Sequence, residues 1–258
     1  MVFRKLMAVF GAGVEVDTVL RDTNVRPGDL LRGEVRFRGG SSDHRVDGIF
    51  VDFTAVVEVE RGDSEFRGTF SFLHAQVAGA FELAAGAAHA VPFEIAVPWE
   101  TPISAIGGRP LRGMRLGVAT ELSLAGALDK GDLDPLLVNP LPAQEHVLAA
   151  LDRMGFRFKG ADLEEGTLPG STMPFYQEIE YYAGPRWRRH FNELELTFIA
   201  GPASVDVILE ADRKGGLLTA GRDVYTRFTV RYDDPPAAAE RALNAALQAM
   251  ARRRGWFF

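Results

Sequence analysis

The stretch that decides the fold runs from Asn24 to Glu60, with the sequence NVRPGDLLRGEVRFRGGSSDHRVDGIFVDFTAVVEVE. Pro27 and Gly28 suit the middle of a tight turn, because proline presets φ and glycine tolerates positive φ. After the turn, apolar and polar side chains alternate from Leu31 to Arg38, which is typical of a strand with one face packed and one face in water. The alternation resumes from Ile49 to Val59. It predicts a strand much longer than the usual ~5–6 residues, and such a strand requires a long partner.

Composition limits the class of protein. A chain of 258 residues, 47% of them hydrophobic, can bury a sizeable core in one large domain or in two smaller ones. The net charge of −6 is moderate and mixed in sign, so we expect no nucleic acid partner. The absence of cysteine excludes disulfides, thiolate metal sites and thiol catalysis, and it is consistent with a reducing compartment.

Alternating side chains predict further strands along most of the chain. These strands lie at 65–73, 89–97, 116–124, 156–163, 174–184, 194–198, 205–209 and 226–232. Pro92 makes the strand at 89–97 a candidate for a sheet edge, since proline lacks the backbone N–H that a central strand donates to its neighbour. No helix separates the strands of the first half, which favours antiparallel sheets over β-α-β units.

The segment at 129–141 is the predicted domain boundary. Residues 129–142 contain three acidic residues, one glycine and three prolines, a composition typical of linkers. We therefore predict an N-terminal β-sandwich at 1–128, a linker at 129–141 and a second β-sandwich at 142–258. Proline followed by apolar residues at helical spacing predicts two short helices, one from Pro142 beside the linker and one from Pro235 at the C-terminus.

Several of these segments resemble one known family. VEVDTVLRDTNVRPGDLLRGEVRFRGG followed by VDGIFVDFTAVVEVE resembles the opening of the bacterial sporulation-control family, the stage-zero M proteins. In the second half, PAQEHVLAALDRMGFRFKGADLEEG, PFYQEIEY, NELELTF and VDVILEADR resemble the same family in order and spacing. The similarity covers most of residues 1–214. It implies two β-sandwich domains with an arrestin-like first half, a cytoplasmic regulatory role and no enzymatic activity.

The residues themselves offer no catalytic signature. The five histidines are scattered, with no two within ten residues of each other. The chain lacks the H-E-x-x-H and G-x-S-x-G motifs, a dinucleotide-binding loop and a P-loop. We therefore expect no enzyme activity, no cofactor and no metal site.

One strand carries a possible acid/base pair. Glu178 and Glu180 lie on one predicted strand face with Tyr176 and Tyr182. Side chains two residues apart on a strand are about 6.6–7 Å apart, which is within the range of inverting glycosidases. A carbohydrate-acting enzyme or lectin-like sandwich, with Trp187 as an additional aromatic, is thus the alternative function. The favoured interpretation is a solvated sheet face whose acids are neutralised by the arginines at 186–189.

The favoured function is an arrestin-like scaffold that binds other proteins in the cytoplasm through sheet edges or concave faces. The candidate partner-binding residues are Tyr176, Glu178, Glu180, Trp187, Arg188, Arg189, Trp256, Phe257 and Phe258. Apolar residues between Val2 and Phe10 predict a short helix. This helix and Trp256–Phe258 either pack on the protein, which is favoured, or contact a membrane surface. No apolar run is long enough to span a bilayer, and the oligomeric state is left open.

Overall fold

The computed structural model describes residues 8–9, 13–61, 64–124, 127–213 and 224–252. The strands are β1 (Ala8–Val9), β2 (Glu15–Leu20), β3 (Asn24–Val25), β4 (Leu30–Arg38), β5 (His44–Arg61), β6 (Ser64–Ala78), β7 (Phe81–Leu83), β8 (Ala88–Ala96), β9 (Ala105–Ile106), β10 (Arg109–Pro110), β11 (Leu116–Leu124), β12 (Ala127–Pro135), β13 (Leu137–Val138), β14 (Arg157–Glu165), β15 (Phe175–Tyr182), β16 (Phe191–Ala200), β17 (Ser204–Arg213) and β18 (Val224–Arg231). The helices are α1 (Pro142–Arg153) and α2 (Pro236–Arg252). The predicted mainly β fold, with antiparallel sheets and two short helices, is confirmed.

The chain forms two compact units that are interleaved in sequence. The first unit comprises Met1–Val56, Arg67–Pro98 and Arg115–Val138, and the second comprises Val57–Phe66, Trp99–Met114 and Asn139–Phe258. The boundary between them falls inside β5, after Val56. This division differs from two consecutive domains, because the end of β5 and the segment 99–114 place residues from the first half of the sequence in the second unit.

The first unit is a β-sandwich. One sheet has the strand order β1-β2-β4-β8, and the other contains β12, β11 and β5, with β6 and β7 also paired to β5. Thr18 on β2 and Thr120 on β11 are buried and join the two sheets by a hydrogen bond between their hydroxyl groups. The eighteen residues of β5 and the fifteen of β6 confirm the long strand and its long partner.

The turn and the first alternating strand follow the sequence pattern. Gly28 adopts a φ of 84°, and the Asp29 N–H donates to the Arg26 carbonyl oxygen over 3.1 Å, which closes the turn. In β4, Leu31, Gly33, Val35 and Phe37 are buried, as their alternation predicts. A Cβ atom at Gly33 would lie 2.6 Å from the Phe93 ring on the paired strand β8 and 2.8 Å from the Val19 carbonyl oxygen on β2, so glycine provides the room that both neighbours need.

The segment predicted as a linker is largely strand. β12 pairs antiparallel with β11, for instance Asp134 with Val118, and β13 pairs parallel with β3. The strand at 116–124, predicted to close the first sandwich, is therefore paired on both sides, with β5 and with β12. The physical reason is that an unpaired strand edge presents N–H and C=O groups, which hydrogen-bond to a neighbouring backbone whatever its side chains. A segment of low β propensity can therefore form a strand beside it.

The second unit is an antiparallel sheet covered by helices. Its strand order is β14-β15-β16-β17-β18, and Glu58 of β5 pairs parallel with Glu164 of β14. α1 and α2 pack against each other and against the sheet. The buried side chains of each helix recur at helical spacing, as predicted: Val147, Leu148 and Leu151 on α1, with Leu243, Leu247 and Met250 on α2.

The two termini lie mostly outside the described residues. Ala8 and Val9 form β1, which pairs with β2, so this part of the predicted N-terminal helix is a strand. The backbone edge of β2 again explains the difference, since it supplies hydrogen bonds that a short helix would lack. Trp256–Phe258 lie outside the described residues. Neither α1 nor α2 has the length and apolar character required to cross a membrane.

Candidate functional site

The sheet of the second unit has one packed face and one acidic face. On β15, Phe175, Gln177, Ile179 and Tyr181 are buried, and the residues between them are partly exposed. The exposed row is Tyr176, Glu178, Glu180 and Tyr182, as the alternation predicts. Strand geometry therefore places the two predicted glutamates on one surface.

Neighbouring strands extend this surface with more carboxylates. Glu180 pairs with Glu195, which pairs with Glu210, and Glu178 pairs with Asp162. Carboxylate oxygens of Glu178, Glu195 and Glu210 lie within 4.8 Å of one another, and so do those of Glu58, Asp162 and Glu164. We name the whole set the acidic face: Glu58, Asp162, Glu164, Glu178, Glu180, Glu195 and Glu210.

A lysine provides positive charge at one side of the acidic face. Lys159 Nζ donates to Glu180 Oε1 over 2.8 Å and to Glu193 Oε2 over 2.6 Å. These two carboxylates raise the pKa of Lys159 above its ordinary value. The sequence pattern assigns neutralisation to the arginines at 186–189, whereas the structure gives Glu180 a lysine partner from β14. Only strand pairing could reveal this, since Lys159 and Glu180 are 21 residues apart.

Glu178 is a carboxyl group of the acidic face with a perturbed pKa. Burial raises the pKa of Glu178 to about 8, and the nearby carboxylates of Glu195, Asp162, Glu164 and Glu210 add to the effect. Burial, followed by the charge of Glu178, also raises the pKa of Tyr176 to about 12. Glu178 therefore holds a proton near neutral pH, beside Glu180 in an ion pair with Lys159.

The raised pKa of Glu178 predicts a pH-dependent stability. A carboxyl group with a higher pKa in the folded state binds more protons there, so its ionisation costs stability as pH rises from about 4.5 to about 8. We expect Glu178→Gln to raise the free energy of unfolding at about pH 8.5, with a much smaller effect at about pH 5. Urea unfolding at both pH values measures this difference.

Glu180→Gln is the matched control, because it neutralises a glutamate two residues away that is paired with Lys159. We expect it to give no gain at the higher pH. The prediction would be contradicted if Glu178→Gln changed the free energy of unfolding equally at both pH values, or lowered it at about pH 8.5.

The segment at 186–190 combines a buried tryptophan with exposed arginines. Trp187 is only 3% exposed and stacks on Phe191 with the ring centres 6.1 Å apart, so its ring belongs to the core of the unit. The Arg186 guanidinium lies 4.9 Å from the Trp187 ring centre. Arg188 and Arg189 are exposed, and Arg189 Nε donates to His190 Nε2 over 3.0 Å. Partner binding by Arg188 and Arg189 stays a prediction.

Five acids of the acidic face and its lysine were not predicted from the sequence: Glu58, Asp162, Glu164, Glu195, Glu210 and Lys159. The segments NELELTF and VDVILEADR, both predicted as strands, contain Glu195 and Glu210. Alternation shows which residues share a face within a strand, but the register between strands depends on turns and core packing.

Known proteins are similar to this chain both in sequence and in fold. The family model for Spo0M, described as SpoOM protein, matches residues 3–215. The sporulation-control protein Spo0M of Bacillus subtilis strain 168 is 31% identical over 214 residues, which cover 82% of this chain and 81% of that protein. The crystal structure of Spo0M from Bacillus subtilis superimposes with a TM-score of 0.79 at 26% identity, covering 92% of this chain and 98% of the other.

These matches confirm the resemblance seen in the sequence, and the arrestin-like fold that it implied is the fold of this family. The matched residues include most strands of both units, so the similarity extends beyond a single motif. The chain belongs to the Spo0M family of sporulation-control proteins.

Proposed function

We propose that this protein is a non-enzymatic regulatory scaffold of the cytoplasm that binds partner proteins by adding their extended segments to its first unit. The process that it regulates is sporulation or a related developmental programme, as the name of its relative suggests. The observation that supports binding by strand addition is β8, which pairs with β4 and with no other strand among the described residues.

The backbone groups of β8 face alternately inward and outward. Ala87 and Val97, just beyond its two ends, exchange hydrogen bonds with the β4 side, at Gly39, Gly28 and Asp29. Because the direction alternates along a strand, the even-numbered residues of β8 direct their N–H and C=O groups away from β4. Pro92 is one of them, so its missing N–H costs no bond to β4. This arrangement confirms the predicted edge position of the strand.

The side chains of β8 leave this edge accessible. Ala88, Ala90 and Ala96 are exposed and small, and Glu94 is paired with Arg32 over 2.5 Å. Lysine and other charges, and also proline, are the usual devices that keep an edge strand from pairing. β8 lacks a lysine, and its single acid is paired with Arg32 of β4. Pro92 removes one outward N–H but leaves those of Ala90, Glu94 and Ala96. An extended peptide can therefore hydrogen-bond to Ala90, Glu94 and Ala96, which is the recognition mode of strand addition.

The test compares two variants on the same strand. Ala90→Pro removes one outward N–H, whereas Glu94→Gln changes a side chain and keeps its N–H. We expect proteins that co-purify with the wild-type chain from the native host to be reduced about tenfold by Ala90→Pro, a loss of roughly 1.4 kcal/mol. Glu94→Gln is expected to retain them. Equal recovery with both variants, at unchanged melting temperatures, would contradict binding at β8.

A carbohydrate-acting enzyme remains the second candidate because of Glu178. A proton-bearing Glu178 beside an ion-paired Glu180 provides two carboxyl groups with separate roles, as an inverting glycosidase requires. Under this hypothesis Glu178→Gln abolishes release of reducing sugar from polysaccharides and leaves the co-purifying proteins unchanged. Absence of sugar release by the wild-type chain, together with loss of partners in Ala90→Pro, favours the scaffold.

A further inference from the structure

A second group of titratable side chains lies in the first unit. Asp52 is on β5, His74 on β6 and Glu121 on β11. One potential ligand atom from each residue lies within 4.8 Å of the other two. We name this group the Asp52–His74–Glu121 cluster.

The two carboxylates of the cluster are deeply buried. Asp52 is 3% exposed and Glu121 is 6% exposed. In the register of β5 and β11, Asp52 pairs with Ala119 and Glu121 pairs with Phe50, which makes the two acids diagonal neighbours on one sheet face. A carboxylate that is shielded from water loses hydration, and polar partners or a bound cation offset that loss.

His74 is held in place for coordination. Its ring stacks on Phe50 with the ring centres 4.5 Å apart and an interplanar angle of 14°. Its Nδ1 atom lies 2.8 Å from Asp52 Oδ1, and its side chain is 52% exposed. The stacking fixes the ring plane, and the exposed side of the ring provides an entry path from solvent. The imidazole therefore faces a buried carboxylate and water at the same time.

Ser71 orients the first carboxylate and does not form a catalytic triad. Its Oγ donates to Asp52 Oδ1 over 2.8 Å. A nucleophilic serine would have to contact the imidazole, and here the hydroxyl group contacts the carboxylate. Such a hydrogen bond from outside the ligand set is the usual support of a metal-binding carboxylate.

We propose that Asp52, His74 and Glu121 bind one divalent transition-metal ion, with zinc as the best chemical match. Zinc accepts imidazole nitrogen together with carboxylate oxygen, whereas magnesium and calcium prefer oxygen alone. Tetrahedral bonds of roughly 2.0–2.2 Å place donor atoms about 3.3 Å apart. His74 Nδ1 lies 2.8 Å from Asp52 Oδ1, and all three donor atoms lie within 4.8 Å of one another, so small side-chain adjustments reach that spacing. A water molecule on the solvent side of His74 would complete the four-coordinate shell.

Calorimetric titration of the full chain with zinc chloride tests the site, after chelator treatment and removal of any affinity tag. We expect one ion per chain, an affinity reduced at least about tenfold by His74→Gln or Asp52→Asn, and a zinc-dependent rise in melting temperature that both variants lose. His89→Gln is the matched control, because His89 also stacks on a phenylalanine of the same unit, Phe37, and belongs to no such cluster among the described residues. It is expected to bind zinc like the wild type.

Three outcomes would overturn the proposal: no zinc binding by the wild-type chain, binding that His74→Gln leaves unchanged, or equal weakening by His74→Gln and His89→Gln. Displacement of zinc by an equal concentration of magnesium would also count against it, since the imidazole would then play no part. Circular dichroism and melting curves without zinc show whether each variant is folded.

Discussion

Gly113→Ala will lower the free energy of unfolding of the second unit by about 3 kcal/mol or more. Gly113 has a φ of 100°, where side chains are strained, and a Cβ atom there would lie 1.9 Å from the Ala161 carbonyl oxygen. The obstacle is backbone, so no rotamer change can relieve it. The two segments are also joined at this point, because the Ala161 N–H donates to the Arg112 carbonyl oxygen over 3.1 Å.

Gly107→Ala provides the matched control for this prediction. Gly107 also has a positive φ, of 56°, but a Cβ atom added there would have no described atom within 4 Å beyond its immediate chain neighbours. Its substitution therefore carries only the conformational cost of about 1–2 kcal/mol. Urea unfolding can be followed by tryptophan fluorescence, since the two described tryptophans, Trp99 and Trp187, belong to the second unit. If both variants lost the same free energy of unfolding, the residue at 113 would not lie close to the Ala161 carbonyl oxygen.

Gln177→Leu is expected to destabilise the second unit by about 2–5 kcal/mol. Gln177 Oε1 accepts from the Ile103 N–H over 2.9 Å, and Nε2 donates to the Ile103 carbonyl oxygen over 2.7 Å. Gln177 is 7% exposed and Ile103 is 1% exposed. Leucine fills the same space but leaves both backbone groups of Ile103 buried without partners, and each such group costs about 1–3 kcal/mol.

Gln248→Leu is the control for size and hydrophobicity, because Gln248 lies on α2 and is partly exposed. Its effect should stay within about 0.5 kcal/mol of the wild type, as for most surface substitutions. The same fluorescence-detected urea unfolding applies to both variants. If Gln177→Leu and Gln248→Leu change the free energy of unfolding equally, the hydrogen bonds between the Gln177 amide and Ile103 do not stabilise the second unit.

The acidic face shows which parts of a site a single sequence can predict. Alternation along β15 correctly placed Glu178 and Glu180 on one face with Tyr176 and Tyr182. It could not assign the strand next to β15, and so the lysine that pairs with Glu180 was missed. The sequence pattern also placed Trp187 among the contact residues, although the ring is buried against Phe191. A run of arginines around one tryptophan does not reveal which side of the chain faces the core.

Periodicity and turn chemistry by themselves determined the tight turn at Pro27, the length of β5, the faces of β4 and β15 and the two helices, because these features depend on neighbours within a few residues. Similarity of segments along the chain also determined the family. Tertiary structure alone decided that the predicted linker forms β12, and which carboxylates meet on the acidic face. It also brought His74 to Asp52 and Glu121. These contacts join residues far apart in sequence, and their formation depends on strand register and core packing, which no local pattern encodes.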